Sequence, residues 1–343
     1  MLSGLVPRRV ANPPNPWESA HVEYLGEAPQ VELEVHEERA RTIVSRNDSP
    51  DVPFRFSVNP YRGCFHGCAY CYARPSHQYL GFGAGTDFER RIVAKVNAPE
   101  LLRETFSSKR WQGDALAFSG VTDCYQPIEA TYGLTRRLLE VCLEYRNPVG
   151  IITKGALIER DVDVLAALSA QASCHVYVSI PFADDALGRA IEPYAASVSR
   201  RLDTLRRLSE AGIPTGVSIS PVIPGLNDDQ IATILERARE AGARSAFMIM
   251  LRLPAEVAPV FEERLHEAVP LRASKVLNAV REMRGGKLNE STFGRRMHGS
   301  GPRWQAIEAL FRMHHRRLGY EDDARQAPPA TTFRRPSAQR ELF

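Results

Sequence analysis

The sequence predicts an α/β fold in which six parallel strands curve into a partial barrel. Three observations carry this reading. Short apolar runs recur at 52–61, 115–119, 149–153, 175–180, 215–223 and 244–251. Stretches with helical spacing separate them, which is the pattern of βαβ units on a parallel sheet. The strand count falls short of the eight that close a barrel, so the sheet stays open.

The elements follow in chain order. Residues 1–50 read as an N-terminal arm, with Pro13, Pro14 and Pro16 close together and then mixed charge from Glu32 to Arg41. The segment 52–61 alternates, placing Phe54, Phe56 and Val58 on one face of a strand. After the apolar run 115–119, Leu134, Leu138, Leu139 and Cys142 share a helix face over 131–145. The strand 149–153 leads to a helix over 161–169 with an aspartate at its N-cap. The β-branched run 175–180 is followed by a helix over 199–211, with Gly212 as its C-cap. The strand 215–223 leads to a helix over 228–241 for which Asn227 is the expected N-cap. The apolar strand 244–251 ends the barrel, assigned to 51–255. A helical extension over 256–320 includes a helix at 302–318, and the charged, proline-containing tail 321–343 is expected to be disordered.

The 343 residues are 43% apolar and 25% charged, an ordinary balance for a protein with a buried core. No apolar run is long enough to cross a bilayer, and none near the N-terminus resembles a secretion signal. The expected location is the cytoplasm, with no membrane partner. Net charge is +3 but uneven: from Arg264 onward sixteen Lys/Arg face eight Asp/Glu, giving +8 there and −5 before it. A basic C-terminal third fits either a nucleic-acid partner or a solvated helical surface.

Three of the six cysteines stand together, as Cys64-Phe65-His66-Gly67-Cys68-Ala69-Tyr70-Cys71. In a reducing compartment such a group reads as metal ligands rather than as a disulfide framework. Three thiolates on one loop can each take one iron of a cubane cluster, leaving a fourth iron open to an amine and a carboxylate. Structural zinc would need a fourth ligand, for which His66 and His77 are candidates. An electron-transfer ferredoxin would need a fourth cysteine, and Cys124, Cys142 and Cys174 are scattered.

The C-x3-C-x2-C spacing, with Tyr70 before the last cysteine, resembles the radical SAM superfamily signature. The run Tyr61-Arg62-Gly63-Cys64, with Tyr70-Cys71-Tyr72-Ala73-Arg74, is similar to the branch related to spore photoproduct lyase. This resemblance implies a partial (β/α)6, TIM-like barrel and a [4Fe–4S] cluster on Cys64, Cys68 and Cys71. It also implies S-adenosylmethionine (SAM) at the barrel mouth and an electron donor such as flavodoxin or ferredoxin. Carried over position by position, the SAM contacts are Tyr70, then Gly120, Thr122 and Asp123 after the second strand and Lys154 after the third. Ser179 ends the fourth strand, Arg201 lies on the following helix, and Gly225 follows the fifth. Cys124 is the candidate hydrogen-atom donor, against the plainer reading of a buried structural cysteine.

Three functions are held open. One is radical SAM chemistry on nucleic acid, as in lesion repair. A second is the same chemistry on a protein, peptide or small metabolite. The third is a zinc-stabilised binding module without SAM. The segments Phe293-Gly294-Arg295-Arg296-Met297-His298 and Pro302-Arg303-Trp304 serve either as a strand-binding surface or as a lid over the barrel. Gly81 to Gly85 lack G-x-G-x-x-G spacing and read as a flexible crossing.

Overall fold

The computed structural model describes residues 12–13, 16, 32–321 and 331–336. Much of the expected arm and tail therefore lies outside the described residues. In chain order the elements begin with β1 (Glu34–Glu38), β2 (Val44–Arg46), β3 (Phe56–Val58) and β4 (Tyr61–Arg62). Next come α1 (Thr86–Arg90), β5 (Arg91–Lys95), α2 (Ala98–Ser107), β6 (Leu116–Phe118), α3 (Glu129–Tyr132), α4 (Leu134–Glu144) and β7 (Val149–Thr153). They are followed by α5 (Val162–Gln171), β8 (Cys174–Ser179), α6 (Asp185–Ile191), α7 (Val198–Glu210), β9 (Thr215–Val222), α8 (Ile231–Glu240) and β10 (Ser245–Met250). The last helices are α9 (Val257–Ala268), α10 (Pro270–Met283) and α11 (Gly301–Arg317).

The main sheet runs β10-β9-β8-β7-β6-β3-β2, with β3 to β10 in this order parallel and β2 antiparallel at the edge. These six parallel strands are the six expected from sequence. Their two faces differ sharply. One carries Val58, Leu116, Phe118, Ile151, Val176, Val178, Val217 and Ile219, all buried. Helices α5, α7 and α8 pack against β8 and β9. The amphipathic α7 contributes Leu202, Leu205 and Leu208, and each such leucine stabilises by roughly 1.5–3 kcal/mol.

The opposite face mixes small and polar side chains with a few large ones. Register places Ser57, Ala117, Gly150 and His175 in one row, and Ile152, Tyr177, Gly216 and Ser245 in the next. A Cβ built on Gly150 meets nothing within 4 Å. This face is the concave side of the open barrel. Fully parallel sheets are usually apolar on both faces; here one face mixes hydroxyls and glycines with Ile152 and the Tyr177 and Phe247 rings, 4.8 Å apart.

A second sheet, β1-β5-β4, was not read from the sequence. In it the arm's residues 34–38 pair in parallel with β5. Its last strand hands the chain directly to the cysteine loop, two residues after β3.

Three local expectations are corrected. Asn227 does not cap a helix: its carbonyl accepts from Ile223 N, and its amide donates to Pro181 O and Pro221 O, tying the ends of β8 and β9 together. Asp161 stands at the N-cap of α5 without capping it. Its carboxylate instead takes Arg136 and Arg160. The tail holds an ordered piece at 331–336, where Phe333 packs against Phe106 and Tyr145 at ring-centroid distances of 5.7 and 6.1 Å.

Candidate active site

The cysteine loop is held by backbone turns that only glycine permits. Gly63 has φ +75° and Gly67 φ +64°. A Cβ on Gly63 would stand 2.9 Å from Phe88 O, and one on Gly67 3.0 Å from the Tyr194 ring. Cys64 N donates to Phe88 O (2.9 Å), Cys71 N to Cys68 O (3.2 Å) and Ala69 N to Ile191 O (3.0 Å). Gln126 spans the loop entry, accepting from Phe65 N (2.9 Å) and donating to Gly63 O (3.1 Å).

Beneath it lies Arg74, with no exposed surface. Its guanidinium donates to the carbonyls of Gly67, Cys68, Ala84 and Gly85 and to the Glu89 carboxylate. The glycine segment 81–85 is thus fastened to the loop rather than left as a loose crossing.

The three thiols are free, and Cys64 and Cys68 are buried. Burial pushes all three thiols up, that of Cys68 to about 12. Iron would have to displace those protons, since thiolates are the ligands. Among the described residues, no three His, Cys, Asp or Glu side chains converge to hold a single metal ion.

The ends of successive strands approach this loop. After β6, the buried Asp123 carboxylate accepts from Thr153 Oγ1 (2.6 Å), Lys154 N (2.7 Å) and Tyr125 N (2.9 Å), and lies 3.4 Å from His66 Nδ1. Burial opposes its charge, but His66, Lys154 N–H and the Thr153 hydroxyl prevail and hold it down to about 2. Asp123 is therefore a strut joining β6, β7 and the loop. Thr122 Oγ1 donates to Tyr61 O (3.0 Å), and Gly120 O accepts from Tyr72 Oη (2.6 Å).

Lys154, at the end of β7, sits 5.6 Å from the centroid of the Tyr70 ring and 3.9 Å from Glu192. The Tyr70 hydroxyl donates to that same Glu192. Arg201 turns inward: it pairs with Glu192 and donates to Ser179 O (2.9 Å) and Ala196 O (2.7 Å). It anchors Glu192 rather than presenting a free fork. Burial pushes the Glu192 carboxyl up, against the pull of Arg201. Buried Tyr70, Glu192 and Arg201 and the half-buried Lys154 thus form one cluster beside Cys68.

Ser179 Oγ lies 3.5 Å from Ser220 O on the concave face. Gly225 (φ +80°) is drawn toward α10, its carbonyl accepting from Arg272 (2.7 Å), apart from this cluster. Cys124 is fully buried in the main core, with its backbone N–H on Ser119 Oγ (2.9 Å) and its carbonyl on Thr135 (2.6 Å). Burial pushes its thiol far up. Sequence reasoning missed Glu192, Gln126 and Glu89. Each is a lone polar residue outside any motif, and only its burial against the loop marks it.

Comparison with known proteins agrees with this geometry. Residues 58–238 match the family model described as the radical SAM superfamily. An uncharacterised protein of Mycobacterium tuberculosis is 33% identical over 230 residues, covering 66% of this chain and 68% of that one. A protein of Pseudomonas phage M6 named radical SAM Nα-GlyT isomerase is 28% identical over 213 residues, 61% of this chain and 42% of its own length. In fold, spore photoproduct lyase complexed with dinucleoside spore photoproduct superposes with a TM-score of 0.62 at 16% identity, covering 87% of this chain and 86% of that one. The open parallel barrel, the three-cysteine loop at its mouth and these matches agree: the chain is an enzyme and belongs to the radical SAM superfamily.

Proposed function

We propose that the protein holds a [4Fe–4S] cluster on Cys64, Cys68 and Cys71, binds SAM beside it, and acts on a nucleic-acid substrate in the concave face of the barrel. The observation that carries the site is the set of three free thiols on one glycine-cornered loop, flanked by the Tyr70–Lys154–Glu192 cluster. When bound, the cluster held by Cys64, Cys68 and Cys71 would supply one-electron reductive cleavage of SAM, and with it the means to remove a hydrogen atom from substrate. The chain's own residues bind, orient and exclude water. Lys154 is the cation assigned to the SAM carboxylate; Glu192, itself held by Arg201, and the Tyr70 ring position it. Asp123 fixes the spacing between loop and strand ends. Cys124 returns a hydrogen atom only if its core site opens, so it is assigned here to the core.

The nucleic-acid reading is supported by an aromatic–arginine face at the mouth. Arg252, just past β10, lies 5.9 Å from the Tyr72 ring, and Arg296 lies 4.4 Å from the Phe293 ring. Tyr72 and Phe293 are 51% and 56% exposed. Exposed rings beside guanidinium groups suit stacking on unpaired bases. A lid over a smaller substrate is the second reading. It is favoured by Arg296 binding Asp51 and Ser49, and by Met297 O accepting from Met250 N (3.0 Å). The electron donor on this reading is a small reduced protein such as flavodoxin or ferredoxin.

The test is formation of 5′-deoxyadenosine by anaerobically reconstituted protein given dithionite and SAM. The wild type should form it, and a Cys64→Ala, Cys68→Ala, Cys71→Ala variant should not. Zinc in place of iron, with no product, would replace this reading by the binding-module one.

A further inference from the structure

The buried charges under the cysteine loop do not balance. Arg74, Glu89 and Arg264 all have 0% exposed surface. Glu89 Oε1 is shared, 2.5 Å from Arg74 Nη2 and 3.4 Å from Arg264 Nη2. Arg74 is satisfied by four carbonyls besides. Arg264 is not: its Nε and Nη1 have no acceptor among the described residues, and Glu89 Oε2 has no donor. Among the described residues, two guanidinium groups against one carboxylate leave a net positive charge sealed below the turn that carries Gly67 and Cys68.

An uncompensated buried arginine with orphaned donors is costly in isolation, and an anion nearby in the working protein would offset that cost. A cluster ligated by three thiolates is anionic and becomes more so on reduction. Buried cationic charge near it therefore stabilises the reduced form, because net charge and hydrogen bonding set such potentials. The chain spends its hydrogen bonds accordingly. Arg74 reaches Cys68 O through both Nε (3.2 Å) and Nη2 (2.8 Å), so the charge sits against the ligand-bearing backbone. Arg264 comes from α9, outside the region matched to the superfamily.

We propose that Arg74, Glu89 and Arg264 form a buried counter-charge that sets the reduction potential of the cluster, with Arg264 as the positioning residue that the C-terminal extension contributes. This rests on the cluster reading of the loop. Glu89 moderates the effect, and its removal should act opposite in sign to removal of Arg264. A purely structural role cannot give that sign reversal.

The experiment is an EPR-monitored redox titration of the full-length reconstituted protein, with iron and sulfide content measured on each sample. Arg264→Gln should lower the reduced-to-oxidised ratio at fixed potential about tenfold, a negative shift of ~59 mV for one electron. Glu89→Gln should shift the potential positive, and Arg264→Lys should stay near the wild type. Full clusters with unchanged potentials, or shifts of the same sign in Arg264→Gln and Glu89→Gln, would overturn the proposal. If Arg264→Gln loads no cluster, Glu89→Gln decides alone: a positive shift supports the counter-charge and its absence overturns it. A wild type that loads no iron–sulfur cluster would remove the underlying reading, and this one with it.

Discussion

Single residues at the site act mostly by holding one another. Asp123 spends its oxygens on β7, on its own turn and on His66. Arg201 spends its donors on Glu192 and two carbonyls. His77 has a different part, wedged against Phe88 and Phe82 at ring-centroid distances of 5.6 and 5.2 Å, under Gly63. Burial pushes its pKa down to about 4, against the smaller opposing effect of the Asp87 charge. The folded ring stays neutral where the unfolded chain takes up a proton, so the folded state is penalised as pH falls through the window from about 6.5 to 4. The penalty is absent above that window and reaches at most about 3 kcal/mol below it. Urea denaturation of wild type and His77→Phe across this range checks it, since the variant should lose that part of the slope. The sequence offered His77 only as a spare metal ligand. Its rings of contact come from residues that periodicity does not single out.

At the scale of elements, the tail segment 331–336 is the clearest departure from expectation. Its charge and prolines argue for disorder. One apolar side chain reverses that: Phe333 enters between Phe106 of α2 and Tyr145 after α4. Arg335 adds hydrogen bonds to the carbonyls of Phe106, Ser108 and Trp111, closing the C-terminal end of α2. Thr331 and Thr332 hydroxyls donate to Gly113 O and Arg146 O. A half-buried phenylalanine with this support is worth roughly 1–3 kcal/mol. Phe333→Ala should lower the melting temperature by several degrees while leaving iron loading unchanged, since the clasp lies away from the cysteine loop. Calorimetry with iron analysis reads both. An equal loss of iron would instead mean that the tail supports the site.

Across the whole molecule, part of the charge asymmetry is used within the protein. The basic C-terminal third meets the acidic barrel through Arg264–Glu89, Arg296–Asp51, Arg303–Asp228 and Arg317–Glu236. Arg284 is consumed by four carbonyls, those of Leu251, Arg295, Arg296 and His298. Five of the sixteen basic residues from Arg264 onward are engaged in this way, and Arg295 is among those that stay exposed. Binding of a single-stranded oligonucleotide should weaken with salt over few phosphate contacts. Arg295→Ala, at a side chain 72% exposed, should reduce the log–log slope by about 1. Fluorescence anisotropy over a salt series measures it; an unchanged slope would favour the lid reading. Among the described residues no helix is long and apolar enough to cross a membrane.

The sequence by itself determined the six parallel strands, the open barrel and the cysteine loop. These are written in contiguous residues, as periodicity within a strand or helix and as fixed spacing between ligands, so short-range chemistry is enough to read them. Only the tertiary structure decided that Asn227 ties strand ends, that Arg201 faces inward on Glu192, that Arg264 lies sealed under the loop, and that Phe333 is docked. Each of these joins residues far apart in the chain through burial and charge pairing. A lone arginine or glutamate carries no local mark of the low-dielectric site in which its partner will be found.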